Sequence, residues 1–220
     1  MASTASMRIV VLGGSGHIGR VIVTEAAARG HAVTAVARDP GSLGHQKGTT
    51  VLAADVLDPS TMRQAVQGQD AVVGALSGHP PRPADTVPRA ARMLLDVLPG
   101  VGVDRLLFVG GGATLERGPR GRFIDSPDFP EEYRQEAEAD AEALSIFKHS
   151  GSGLKWSYLS PPPLNLVEGA RTGIFRAEAS EQPIMDGRGE SRITVGDLAA
   201  AVVDAVENET FIRQRFTVAY

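Results

Sequence analysis

The feature that most constrains this 220-residue chain is a set of three glycines, Gly13, Gly16 and Gly19, directly after an apolar run. At this spacing the first glycine permits a tight turn, the second lets a ligand approach the backbone, and the third lets a helix pack closely on a strand. The N–H groups at the start of such a helix favour an anion, and a pyrophosphate suits them. We therefore expect a strand–loop–helix unit that binds a dinucleotide, the alternative being a glycine-rich turn that only packs the helix.

Short runs rich in valine, isoleucine and leucine alternate with segments of helical pattern. Such runs are typical of strands buried on both faces of a parallel sheet. Asp58 and Pro59 have the pattern of an N-cap and a first-turn proline, which predicts a helix over Thr61–Val66. The alternation predicts an α/β fold, a Rossmann-type doubly wound parallel sheet in a single domain over residues 1–220. The predicted strands are Arg8–Leu12, Ala32–Val36, Thr50–Ala54, Asp70–Ala75, Arg105–Val109 and Lys155–Leu159.

The second half of the chain is predicted to contain a long helix over Glu131–His149, a final helix over Gly196–Val206 and a last strand over Arg215–Ala219. Two stretches rich in glycine and proline, about 110–130 and 160–192, break the alternation. Loops of this length are usually functional, so we expect them to form the substrate side. Short β-like pieces are expected at Gly173–Ala177 and Gln182–Met185. The side chains predicted to share one face of the long helix are Tyr133, Ala137, Ala141, Leu144 and Lys148.

Composition excludes several classes of protein. The chain has no cysteine, which excludes disulfides, thiol nucleophiles and thiolate metal sites. Its formal net charge of −4 gives no field that would attract nucleic acid or an anionic membrane. The apolar run Leu198–Val203 is far shorter than the ~20 residues that span a bilayer, and the residues before Met7 lack a signal-peptide pattern. We expect a cytoplasmic monomer or homodimer whose partner is a small-molecule acceptor.

Arg38 follows the second predicted strand, where a dinucleotide fold meets the adenosine ribose. An acidic residue there accepts a hydrogen bond from the 2′-hydroxyl, whereas an arginine accommodates a 2′-phosphate. We therefore predict NADP(H) rather than NAD(H) as the cofactor. Two alternatives stay open, because the neighbouring Asp39 could reach a ribose hydroxyl and Arg38 could be a solvated turn residue.

Further cofactor contacts are expected beyond the carboxyl ends of the strands, because ligands of this fold bind at that edge of the sheet. Asp55 and Val56 should meet the adenine, and the residues after the fourth strand should border the ribose and pyrophosphate. A nicotinamide would lie between the loops after the fifth and sixth strands. At each position a plain turn is the alternative. The predicted cofactor-binding residues are Gly13, Gly14, Ser15, Gly16, His17, Ile18, Gly19, Arg38, Asp55, Val56, Leu76, Ser77, Gly78, Gly110, Gly111, Pro161 and Pro162.

The acid found in many reductases of this fold is missing. Those enzymes use a tyrosine, with a lysine four residues on, to protonate a carbonyl oxygen. Here Tyr133 is followed at that spacing by Ala137, and Tyr158 by Pro162. The five histidines include no pair at metal-ligand spacing, so no metal site is predicted. The sequence does not identify the catalytic residues. The candidates are Tyr133, Ser160 and His79, and the alternative for His79 is an exposed loop residue.

The missing acid constrains the acceptor. An electron-poor conjugated ring, such as an isoalloxazine or a quinone, takes a hydride and collects its proton from water, so the protein need only stack two rings. The predicted substrate contacts are Phe123, Phe129 and Tyr133. Trp156 and Phe175 are also candidates, with a place in the core as the alternative.

Seven segments, spread over nearly the whole chain, carry a resemblance to a known family. They are Gly13–Gly19, Ala37–Pro40, Phe108–Glu116, Asp128–Tyr133, Leu159–Pro162, Gly187–Asp197 and Arg213–Val218. They resemble atypical short-chain dehydrogenases/reductases, in the branch of the NAD(P)H-flavin reductases, which is biliverdin-IXβ reductase-like and NmrA-like. The glycine motif is generic to the fold, whereas the last three segments are specific to this branch.

The resemblance implies a Rossmann fold that binds NADPH at Gly13–Gly19 and Arg38 and passes hydride to a conjugated ring, with FMN or FAD as substrate rather than prosthetic group. The hydroxyl that other reductases place after the fifth strand is replaced here by Gly110-Gly111-Gly112. The leading interpretation is an NADPH-dependent oxidoreductase acting on a flavin, a quinone or a similar flat acceptor. The alternatives are a non-catalytic NADP(H)-sensing regulatory protein and a pathway-specific carbonyl reductase or isomerase of biosynthetic metabolism.

Overall fold

The computed structural model describes residues 5–43, 48–78 and 82–220, and this part of the chain contains ten strands and five α-helices. The strands are β1 Arg8–Leu12, β2 Ala32–Ala37, β3 Thr49–Ala53, β4 Ala71–Gly74, β5 Arg105–Val109, β6 Lys155–Ser160, β7 Leu166–Val167, β8 Arg176–Glu178, β9 Ile193–Thr194 and β10 Gln214–Ala219. The helices are α1 His17–Ala28, α2 Pro59–Val66, α3 Thr86–Gly100, α4 Glu131–His149 and α5 Val195–Glu207. Three short 3-10 turns, Gly112–Thr114, Gly118–Arg120 and Phe123–Asp125, lie between β5 and α4.

Eight of the strands form one sheet in the order β3-β2-β1-β4-β5-β6-β10-β8. All neighbours are parallel except β8, which pairs antiparallel with β10 at the edge. In β1, Val10 lies opposite Thr34 of β2 on one side and Val72 of β4 on the other. The strand order therefore reverses at β1, and a ligand crevice is expected at the carboxyl ends of β1 and β4.

Helices cover both faces of the sheet, so the central strands are buried on both faces. On one face, α2, α3 and α4 pack over an apolar layer that includes Leu94, Phe108 and Phe147. On the other face, α1 and α5 contribute Ile22 and Val202 to a second layer. Burial on both faces explains why these strands are continuous apolar runs in the sequence. None of the described helices is both long and apolar enough to cross a membrane.

The predicted doubly wound fold is confirmed, and each of the six strands predicted in the first part of the chain lies within one residue of the observed bounds. Asp58 caps α2 as expected, because its carboxylate accepts a hydrogen bond from the Ser60 N–H at 2.9 Å. The β-like piece predicted at Gly173–Ala177 is displaced to Arg176–Glu178. The piece predicted at Gln182–Met185 is not a strand, since its backbone forms no ladder with β10 or β8.

The buried face of α4 also differs from the predicted one. Ala137 and Leu144 are buried as predicted, but Tyr133 is exposed and Ala141 is only half-buried. Lys148 is also exposed, and its Nζ pairs with Glu181 at 2.7 Å. The buried stripe includes Asp140 and Phe147 in their place. Apolar periodicity does not identify a helix face that contains an aspartate. The sequence pattern therefore predicted the neighbouring face.

Candidate functional site

The loop between β1 and α1 has the geometry of a phosphate-binding turn. Gly13 has φ +81°, and a Cβ built on it would lie 2.2 Å from the Ala75 carbonyl oxygen. A Cβ on Gly19 would lie 2.1 Å from the Gly13 carbonyl oxygen, so α1 packs directly on the turn. Any side chain is therefore excluded at both positions. Gly16, the N-cap residue of α1, is exposed and lines a cleft, which the N–H groups of the first helical turn can reach.

This cleft, of about 560 Å³, runs along the carboxyl ends of β1, β4 and β5. The structure brings most of the predicted cofactor-binding residues together in it. Those that line it are Gly13, Ser15, Gly16, His17, Ile18, Arg38, Leu76, Ser77, Gly110, Gly111 and Pro161. The glycine turn lies within its wall, so a dinucleotide whose pyrophosphate sits on the turn has room on either side along the cleft. The residues present therefore fit a dinucleotide.

At the β2 end of the cleft, Arg38 and Arg82 line an adjoining pocket of about 130 Å³ together with Asp55 and Val56. Burial lowers the pKa of Arg82, and the charge of Arg38 lowers it further, while Asp55 acts in the opposite direction. Two guanidinium groups thus share one site with one carboxylate. Such a site carries excess positive charge and suits a phosphate group.

At the β5 end of the cleft lie two carboxyl groups, Glu136 and Asp140, which are one turn apart on α4. Asp140 is only 8% exposed. A Cβ on Gly111 would lie 2.2 Å from Asp140 Oδ2, so the carboxyl group occupies the space that a side chain at position 111 would need. Burial, and then the charge of Glu136, raise the pKa of Asp140 well above its ordinary value.

Tyr158 of β6 contacts the turn of α4 that carries Asp140. Its hydroxyl donates to the backbone carbonyl of Asp140 at 3.0 Å, and a Cβ on Gly110 would lie 1.9 Å from the same hydroxyl oxygen. Its ring stacks on Phe108, with centroids 5.8 Å apart. Burial, and then the neighbouring Asp140, raise the pKa of Tyr158 well above its ordinary value. Tyr158 therefore positions the turn as a neutral hydrogen-bond donor.

A second recess, of about 490 Å³, adjoins the cleft and shares with it Glu136, Asp140 and Pro161. Two of the predicted substrate contacts, Phe129 and Tyr133, line this recess, as does Pro162. The two cavities thus share these residues in their walls. A ligand in the recess would therefore lie next to a ligand in the cleft.

Several predicted residues lie outside both cavities. Gly14 and Gly78 are buried, and Gly19 lies within α1. Ser160 is fully buried, and its hydroxyl accepts a hydrogen bond from Arg215 Nε at 3.0 Å.

The aromatic candidates are divided in the same way. The ring of Phe123 lies beneath the guanidinium of Arg117, which is 5.4 Å from its centroid. Trp156 takes the core position that was its alternative, in the apolar layer under α4. Phe175 is half-buried and packs against the opposite layer. His79 lies outside the described residues.

Three residues of the site, Arg82, Glu136 and Asp140, were missed by the sequence analysis. No sequence motif or spacing marks Arg82 as a cofactor-binding residue. For the carboxyl groups a signal existed, since two acidic residues four apart on one predicted helix lie on the same face. The tyrosine–lysine pattern, counted from Tyr133 one turn earlier, ends at Ala137 and includes neither carboxyl group.

A family model described as NAD(P)H-binding matches residues 13–209, from the glycine turn to the end of α5. The chain belongs to this family. The resemblance to atypical short-chain dehydrogenases/reductases is thereby confirmed.

Three solved structures share the fold along nearly the whole chain. One from Burkholderia pseudomallei, named "putative exported protein", is 38% identical, with a TM-score of 0.86, and the match covers 97% of this chain and 100% of that one. A "putative NADH-flavin reductase" from Streptococcus pneumoniae TIGR4 is 28% identical, with a TM-score of 0.83 and coverage of 97% and 99%. A "putative epimerase" from Bacteroides thetaiotaomicron is 31% identical, with a TM-score of 0.87 and coverage of 98% and 97%.

Proposed function

We propose that this protein is an NADPH-dependent reductase that passes hydride to a flavin, a quinone or a similar flat conjugated acceptor, without a tyrosine–lysine pair. The observation that carries the proposal is the junction of the dinucleotide cleft with the second recess. No lysine lines either cavity within the described ranges. When bound, the dinucleotide would supply a hydride, and the chain would supply a surface that orients two flat ligands against each other.

The preference for NADPH is supported by the pair Arg38 and Arg82. A 2′-phosphate placed between two guanidinium groups would relieve their mutual repulsion and receive hydrogen bonds from both. NADH lacks this phosphate and would leave the repulsion in place. Asp55, on the same pocket, is a candidate partner for the adenine.

The flat acceptor is supported by the walls of the second recess. Phe129 and Tyr133 offer aromatic surface, and Pro161 and Pro162 offer a rigid apolar surface. A structural relative from Streptococcus pneumoniae is named "putative NADH-flavin reductase". FMN, FAD or a quinone would enter this recess as a substrate and leave it after reduction.

Steady-state oxidation of NADPH with FMN and a panel of quinones tests the proposal. Arg38→Ala and Arg82→Ala should each raise the KM for NADPH about tenfold or more, because a hydrogen bond to a charged group contributes ~1.5–3 kcal/mol and ~1.4 kcal/mol is a factor of ten. The KM for NADH should hardly change. Arg120→Ala, which removes an exposed arginine outside both cavities, is the matched control.

Two results would overturn this function in favour of another. Equal binding of NADP⁺ and NADPH with no turnover on any acceptor would indicate a regulatory sensor. Turnover restricted to one carbonyl metabolite, and abolished by Tyr133→Phe, would indicate a dedicated carbonyl reductase, whereas hydride transfer to a flavin should survive that change.

The same proposal includes the compartment and the assembly. We place the protein in the cytoplasm as one domain over residues 1–220, acting as a monomer or homodimer. Cell fractionation tests the compartment, which is of interest because one structural relative bears the name of an exported protein.

A further inference from the structure

The side chain of Asp140 stands apart from the other polar groups of the cleft wall. The residue is more than nine-tenths buried, yet it lines both the cleft and the second recess. No residue in the described ranges donates a hydrogen bond to this carboxyl group or forms an ion pair with it. A polar group that is nearly buried and has no such partner relies on water or a ligand in the adjoining cavity to satisfy it.

The surroundings of Asp140 favour the neutral acid over the carboxylate. Burial acts first, and the charge of Glu136 on the same helix acts second. From β6, Tyr158 contributes only an uncharged hydroxyl, which bonds to the Asp140 backbone. Arg215 of β10 lies beyond Tyr158 and is paired with Glu181 at 3.1 Å. The cleft arginines, Arg38 and Arg82, also line the pocket at the β2 end, away from the β5 end where Asp140 lies.

The carboxyl group fills a place on the β5 loop where the chain has no side chain of its own. Residues 110–112, which follow β5, are all glycines. Asp140 Oδ2 lies 2.2 Å from where the Cβ of residue 111 would stand. The carboxyl group of α4 thus reaches the place that a side chain on the β5 loop would occupy.

We infer that Asp140, as a neutral carboxylic acid, donates a proton to the acceptor, and that Glu136 returns a proton to it from solvent. This inference rests on the proposed reductase function. It replaces water by a group of the protein as the source of the proton for a quinone, and it makes the site suit conjugated carbonyl acceptors, which need an acid.

The atoms and electrons of the step balance as follows. The acceptor gains a hydride, with its two electrons, at one atom of the conjugated system. The displaced π pair takes the Asp140 proton at the oxygen or nitrogen at the other end, while the carboxyl O–H bond breaks. Asp140 is left as a carboxylate, and Glu136, which is half-buried at the cleft wall, passes a proton from water to it. NADPH, acceptor and one proton give NADP⁺ and reduced acceptor.

Asp140→Asn tests the inference with a quinone as acceptor. We expect kcat to fall at least about 100-fold, the usual scale for losing a general acid. A group that must be protonated gives activity below its pKa and loses it above, so the wild-type rate should fall at alkaline pH, and this limb should vanish in Asp140→Asn. Glu138→Gln, an exposed change on the same helix, is the matched control and should leave both kcat and the limb unchanged.

A second acceptor separates proton donation from hydride transfer. The N-methylacridinium cation becomes neutral when it takes a hydride and needs no proton. Its reduction should show no alkaline limb in the wild-type protein and should survive Asp140→Asn. Because the wild-type protein alone gives the comparison between the two acceptors, the test holds even if the variant folds poorly.

A readout that needs no turnover is the infrared carbonyl band of a protonated carboxyl group in the free protein. The wild-type spectrum should contain at neutral pH a band that Asp140→Asn removes and Glu138→Gln retains. A carboxylate at Asp140 at neutral pH, or wild-type kcat in Asp140→Asn with the quinone, overturns the inference alone. No wild-type turnover with any acceptor overturns the proposed function and the inference together.

Discussion

Gly111→Ala is the change that most directly tests the packing of the carboxyl group against the β5 loop. The new methyl carbon would lie 2.2 Å from Asp140 Oδ2 and 3.1 Å from its Cγ. Ordinary contact needs about 3.5 Å, so the carboxyl group must move by more than an ångström in a site where Asp140 is buried. Overpacking of this kind costs about 1–3 kcal/mol of unfolding free energy.

A double-mutant cycle isolates this contact. In the Asp140→Ala background the oxygen is gone and the nearest remaining atom, Asp140 Cβ, would lie at 3.4 Å. Gly111→Ala should then cost little. We expect a coupling free energy of about 1–3 kcal/mol between the two positions, within the range seen for residues in contact.

Urea unfolding followed by circular dichroism measures the four proteins of the cycle, with the requirement that the m-value stays constant. Gly187→Ala is the control, because a Cβ there meets nothing within 4 Å, and it should change stability by less than about 0.5 kcal/mol. Additive effects of the Gly111 and Asp140 changes would refute the reasoning. They would mean that the carboxyl group does not fill the space above Gly111.

Three further predictions follow from charges and glycines of the site and its frame. Because the pKa of Asp140 is raised on folding, its contribution to stability is present below its unfolded pKa of ~3.9 and declines as pH rises. In thermal melts, the stability of Asp140→Asn relative to the wild-type protein should therefore increase between acid and neutral pH. The pKa of Asp197 is shifted in the opposite direction. Burial opposes its ionisation, but N–H and hydroxyl groups of Thr172 and Gly173 donate hydrogen bonds to its carboxylate at 2.7–2.8 Å, outweigh burial and lower the pKa. Asp197→Asn should cost ~1.5–3 kcal/mol at neutral pH, and the difference from wild type should shrink as pH falls below ~4. Gly19→Ala should abolish NADPH binding in calorimetry, because its Cβ would collide with the Gly13 carbonyl and displace the turn.

The fold could be predicted from the sequence because its determinants are local. Strands buried on both faces must be continuous apolar runs, and this holds for β1, β4 and β5. The cap at Asp58 and the glycine turn are likewise set by residues adjacent in the chain. The Gln182–Met185 segment was misassigned because a β-like composition does not specify a pairing partner.

The site could be predicted only in the part that the glycine motif defines. Arg82 joins Arg38 through the packing of the segment before α3 against the end of β2, and no spacing in the sequence fixes that meeting. Asp140 meets Gly111 through the docking of α4 on the sheet. Contacts between elements distant in sequence follow from tertiary packing, and the periodicity of the sequence does not predict that packing.

The glycine run after β5 has one meaning in the sequence and another in the structure. As a sequence, Gly110-Gly111-Gly112 marks a loop without side chains. In the structure, a side chain at position 110 would collide with the Tyr158 hydroxyl, and one at 111 with the Asp140 carboxyl group. The loop lacks side chains because a helix and a neighbouring strand have already filled their places. The absence of a catalytic group on one element thus follows from the presence of a buried acid, held by Tyr158, on another.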